Sequence, residues 1–130
     1  MEHLVILRGL VAAAIAASAV SCATLPPQIA KADGRVLVEG SKSSSVHVNI
    51  RTVDGGDVLW VRGYRIGNQA WLTPGPHKIG VMCEFFYNWG TKILPGNDVE
   101  IDVAQGNTYQ LDGAMSSDGE DCEVTMRASR

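Results

Sequence analysis

The 130-residue chain predicts an all-β protein: a small antiparallel β-sandwich of seven to eight short strands behind an N-terminal signal helix. Three observations predict it. From Arg35 onward apolar residues recur at every second position in several separate runs, the period of a half-buried strand. Turn chemistry interrupts the runs at close intervals, in Asp54-Gly55-Gly56-Asp57, Thr73-Pro74-Gly75-Pro76, Pro95-Gly96-Asn97-Asp98 and Ala104-Gln105-Gly106-Asn107, as it does in sandwiches and small barrels. No stretch after residue 21 carries an apolar stripe at helical spacing, so the leader has no helical partner to pack against.

The leader reads as an address. Gly9 to Val20 is apolar and rich in small residues; it falls short of the roughly 20 residues needed to span a bilayer and has the length of a secretory h-region. Arg8 and the α-amino group outweigh Glu2 ahead of it. Ala19-Val20-Ser21-Cys22 resembles a bacterial lipobox, in which the Cys becomes the acylated first residue of the mature chain. That resemblance implies a signal peptide over residues 1–21 and a membrane anchor of palmitate-type chains on Cys22. Ala23, in place of an Asp after the Cys, implies sorting to the outer membrane, with the domain facing the periplasm. Ala17-Ser18-Ala19 is also an ordinary small-x-small cleavage site, so simple secretion is the alternative. Residues 22–33, with Pro26-Pro27, read as a tether, with a short ordered arm lying on the domain as the alternative, and residues 34–130 as the sandwich domain.

The elements follow in order. Val36-Leu37-Val38 precedes Gly40, and Ser41 to Ser45 is a loop. Val46, Val48 and Ile50 alternate with His47, Asn49 and Arg51. After the Asp54–Asp57 turn, Val58-Leu59-Trp60-Val61 reads as the returning strand. Ala70-Trp71-Leu72 leads into the Pro-Gly-Pro turn. His77 to Tyr87 is the longest strand candidate, with His77, Ile79, Val81, Cys83 and Phe85 on one face and Lys78, Gly80, Met82, Glu84 and Phe86 on the other. Asn88 to Asp98 reads as a loop. Val99, Ile101 and Val103 alternate with acids, Tyr109 and Leu111 share a face, Ser116 to Asp121 is an acidic loop, and Cys122 to Ala128 is the last strand.

With Cys22 taken by lipid, Cys83 and Cys122 are left. Each lies on the more apolar face of its strand. An exported chain folds where disulfides persist, which predicts a core-facing Cys83–Cys122 bridge; two separate buried thiols are the alternative.

Val53-Asp54-Gly55, Leu72 through Val81 (LTPGPHKIGV) and Gly106-Asn107-Thr108-Tyr109 together resemble PEGA-type β-sandwich modules and the small uncharacterised bacterial lipoproteins that share this pattern. In those modules a Pro-Gly-x-His turn opens a strand through the core and a Gly-x-x-Tyr turn opens a later one. The stretch runs from about Val53 to Gly113. The resemblance implies a structural or accessory module and carries no catalytic residues.

Chemistry is sparse. A net charge of −3 argues against nucleic acid, whose binders show a basic excess. No His-x-x-x-His pair, Gly-x-Ser-x-Gly elbow or phosphate-cradling glycine loop occurs, so no metal, cofactor or catalytic residue is expected. The carboxylates of Asp118 to Glu123 lack EF-hand spacing and read as a solvated loop. Seven of the eight aromatics lie between Trp60 and Trp89. Phe85 and Phe86 cannot share one face, so Phe86, Tyr87 and Trp89 are a candidate binding patch for an envelope protein or glycan. The expected function is that of a non-enzymatic, lipid-anchored envelope protein serving as an accessory or interaction module. A lysozyme or protease inhibitor, or a glycan binder, is the alternative. An enzyme would have to use His77, Asp54 and Asp57.

Overall fold

In a computed structural model of the chain, residues 28–56, 60–61, 64–65 and 67–130 are described. The leader, Cys22 and the first part of the tether lie outside them. The described residues are all β, with eight strands in two sheets, a separate two-stranded ladder and no helix. The first sheet has the order β10 (Cys122–Ser129), β9 (Thr108–Met115), β1 (Val36–Gly40), β5 (Gln69–Leu72). Its β1–β9 pairing is parallel and the other two are antiparallel.

The second sheet is built on β6 (Gly75–Tyr87). One edge of β6 takes β2 (Val46–Val53). The other takes β7 (Gly90–Pro95) along its second half and β8 (Val99–Val103) along its first. Met82 faces Pro95 while Ile79 faces Val99. Two residues of β6 therefore oppose three of the partner, a bulge that lets β7 and β8 run as one kinked return strand.

Between the sheets lies a core of alternating side chains. Val36 and Val38, Val48 and Ile50, Ile79, Val81, Cys83 and Phe85, Val99, Ile101 and Val103, Tyr109 and Leu111, and Cys122 and Val124 are all buried, as period-two strands with one face inward require. In the middle of the second sheet, Asn49 and Glu84 on the opposite face are buried as well, where alternation alone would place them in water.

The bulge has a further use. It presents the Asn97 side chain to β10: the Val124 amide donates to Asn97 Oδ1 (2.8 Å) and Asn97 Nδ2 donates to the Val124 carbonyl (3.3 Å). A side chain of the second sheet thus completes main-chain bonds on the edge of the first, where they would otherwise be left open. At the β1–β2 crossover, Asn68 does the same for Gly40. Its Nδ2 donates to the Gly40 carbonyl, and its own carbonyl accepts the Gly40 amide (2.7 Å).

Three expectations change. Residues 28–33 follow the alternative, an ordered arm on the domain. Ile29 is 2% exposed and belongs to the core, its carbonyl accepts the Trp71 amide (2.8 Å), and Lys31 lies over the Trp71 ring. One apolar residue among polar neighbours suffices to dock an arm when it finds a pocket beside an edge strand. Asn88 to Asp98 is not a loop, because β7 pairs from Gly90 to Pro95 and buries Leu94. The described part of the returning strand expected at Val58–Val61 is not in the ladder of β2, whose partner among the described residues is β6. Within it, Trp60–Val61 (β3) forms a two-residue ladder with Tyr64–Arg65 (β4); Val58 and Leu59 lie outside the described residues.

Cys83 on β6 and Cys122 on β10 join the two sheets, their sulfurs at bonding distance (2.05 Å). The crossing point is roofed by Gly113. A Cβ there would stand 2.8 Å from Cys83 Sγ and 2.9 Å from both Cys122 Sγ and Val48 Cγ2. Gly113→Ala is expected to lower stability by about 1–3 kcal/mol, the usual cost of overpacking, measured by urea unfolding of the oxidised protein.

Candidate functional site at the aromatic hairpin tip

β6 spans 13 residues, about 40 Å of extended chain, so it separates two ends of the sandwich. The motif residues gather at the end where β6 begins. Asp54 and Gly55 both have positive φ (52° and 69°), the geometry of a two-residue turn of the primed type that Asp-Gly favours. The turn aims the Asp54 carboxylate back at β6. Oδ1 accepts the Lys78 amide (2.8 Å), and Nδ1–H of His77 donates to Oδ2 (2.6 Å). The other ring nitrogen donates to the Thr73 carbonyl (2.7 Å). Both imidazole nitrogens are therefore engaged by oxygen atoms of the two turns, and His77 clasps the Pro-Gly-Pro turn to the Asp-Gly turn.

Tyr109 closes a second turn at this end. Its hydroxyl accepts the Ala104 amide (2.9 Å) and donates to the Asp102 carbonyl (3.2 Å). A shallow depression of about 620 Å³ lies beside the clasp, lined by Asp54, Pro76, His77, Lys78, Glu100, Ile101 and Asp102. The His77–Asp54 pair is the fragment an enzyme reading would seize on. Its Nε2, however, is occupied by a main-chain carbonyl, and the Thr73 hydroxyl stands at 3.4 Å, beyond that shorter bond. Asp57, the third suspect, lies outside the described residues.

The opposite end, where β6 turns into β7, carries the exposed aromatics. Tyr87 and Trp89 stack face to face, with ring centroids 5.0 Å apart and planes within 4°. Trp89 is 74% exposed and Tyr87 41%. The Tyr87 hydroxyl reaches Met115 Sδ (3.8 Å) at the end of β9. Phe86 is not part of this stack. It points to the other face of its strand and packs edge-on against His47 at 4.6 Å, half-buried. The patch is therefore a pair of stacked rings, and the third aromatic belongs to sheet packing.

Sequence reasoning missed the residues that flank the stack. Loop 116–121 follows Met115 directly and is tied to β7 by Lys92 Nζ, which donates to the Gly119 carbonyl (2.9 Å). Within it, Asp118 Oδ1 accepts the Ser116 hydroxyl (2.6 Å) and the Glu120 amide (3.0 Å). These two bonds, the hydroxyl first, hold the Asp118 carboxyl below the usual carboxylate range. Among the described residues no three His, Cys, Asp or Glu side chains group so as to hold a metal ion.

The fold and its two ends define a disulfide-bridged all-β sandwich that displays stacked aromatics at one tip. No known protein family, curated protein or solved structure matches the chain.

Partial burial pushes the Asp54 carboxyl up, but the Lys78 amide and the hydrogen bond and charge of His77 outweigh it and leave it below its ordinary value of 3.8. A carboxyl depressed in the folded state adds stability above its unfolded pKa and loses it as pH falls through the folded one. Asp54→Asn is therefore expected to cost about 0.5–1 kcal/mol near pH 7, the scale of an exposed charged pair. In parallel urea titrations the gap from the parent should shrink below about pH 4 and close in stronger acid.

Proposed function

We propose that the protein is a non-enzymatic, lipid-anchored module of the bacterial cell envelope that recognises a partner. The single observation carrying the recognition is the Tyr87–Trp89 stack. Two large rings stand in water at a hairpin tip, where burial elsewhere in the fold would be worth more. Aromatics of this kind supply most of the binding energy of many interfaces. The anchor is Cys22, by the lipobox resemblance, and the chain is of the PEGA-like lipoprotein kind. The buried Cys83–Cys122 pair supports an oxidising compartment. The described arm enters beside Trp71, near the clasp. An acylated Cys22 six residues upstream of Gln28 would hold the sandwich at the outer membrane, facing the periplasm.

A glycan or an inhibited enzyme fits the same display and is the second reading, favoured by the same exposed rings. Intact-mass spectrometry of protein purified from membranes tests the anchor. The expected mass is that of a chain beginning at Cys22, carrying acyl groups and lacking two thiol hydrogens. Cys22→Ala should abolish incorporation of labelled palmitate and release the protein from the membrane fraction; labelling that survives the substitution removes the anchor from the proposal.

A further inference from the structure

The chemistry around the stack points to the charge of its partner. We infer that the Tyr87–Trp89 tip takes a cationic peptide segment, rich in Arg or Lys, from a basic protein; the inference rests on the recognition reading above. Each ring of the pair has one face turned to the other, so what the tip offers a ligand is the remaining exposed ring surface. An aromatic face carries negative potential and attracts ammonium and guanidinium groups. The neighbouring loop adds to that potential. Asp118, Glu120 and Asp121 are all exposed, and the Asp118 carboxyl is held ionised by its two hydrogen bonds. The loop starts one residue after Met115, whose sulfur meets the Tyr87 hydroxyl, so carboxylates and rings share one end of the molecule.

Lys92, the cation facing this loop, spends its ammonium on the Gly119 carbonyl, and the Ser116 hydroxyl donates to Asp118. The carboxylates of Glu120 and Asp121 stand in water beside the rings, where they offer a cation charge as well as hydrogen-bond acceptors. Complementary charge of this sort steers encounter and selects partners more than it adds affinity.

Isothermal titration of the full chain in detergent, with a blocked hexapeptide of alternating arginine and glycine, tests the inference. A blocked glutamate–glycine hexapeptide and an N-acetylglucosamine tetrasaccharide serve as comparison probes. The arginine peptide should bind, the glutamate peptide should not, and affinity should fall with added salt. Trp89→Ala and, separately, the Glu120→Gln/Asp121→Asn pair should each weaken binding about tenfold. Both alter exposed side chains, and unchanged thermal melting confirms that each variant folds. Equal arginine-peptide binding by both variants overturns the site. Tetrasaccharide binding that is lost in Trp89→Ala, without peptide binding, overturns the cationic partner and leaves the recognition reading in place. Binding of none of the probes overturns the cationic partner and counts against recognition at this tip.

Discussion

The two sheets are joined covalently at one place, and the packing around that place is set by how little room it has. Cys83 and Cys122 come from different sheets and are 39 residues apart in the chain. In the chain-entropy account a crosslink closing a loop of that size removes about 4 kcal/mol of freedom from the unfolded chain, a large part of the net stability of a small domain. Its position dictates its neighbours. Gly113 leaves the space the sulfurs fill, Val48 packs beside them, and Asn97 fastens the strand that carries Cys122 two residues further on. With the sheets fixed there, the outer parts of β6 can extend beyond the core at both ends.

Those two ends have different characters. At one, His77, Asp54, Thr73 and Tyr109 spend their polar atoms on turns. Such residues look chemical in a sequence because they are His, Asp and Tyr in glycine-rich surroundings, yet each is consumed in holding main chain. At the other end Tyr87 and Trp89 hold little besides one another and Met115. Function is better sought where side chains are left over than where they are fully used.

Much of the fold was legible because burial on one face writes a period of two into the chain. Val46–Ile50, His77–Phe85, Val99–Val103 and Cys122–Val124 all point as alternation predicts, and the faces of the two cysteines foretold their pairing. What was not legible depended on partners distant in sequence. β7 is short, and its Ile93 is exposed, so nothing local marks it as a strand; β6 imposes the pairing. Ile29 gains its place from Trp71, more than 40 residues later. Of the candidate patch, the sequence showed that Phe85 and Phe86 must part, but not that Phe86 would lie against His47 while Tyr87 and Trp89 found each other. The rings meet at the Asn88–Trp89 turn, between Tyr87 and its ladder partner Gly90.

The place of β1 has a consequence for how the molecule is assembled. It is the first strand among the described residues, yet it sits inside its sheet, between β5 and β9, and its pairing with β9 is parallel across some 70 residues of intervening sequence. Closing so wide a circuit is slow. A chain delivered amino end first has to hold β1 unsatisfied on one side until nearly the whole polypeptide has emerged. The sheet is finished from its middle, by the last arrivals, so the molecule matures late and as a unit.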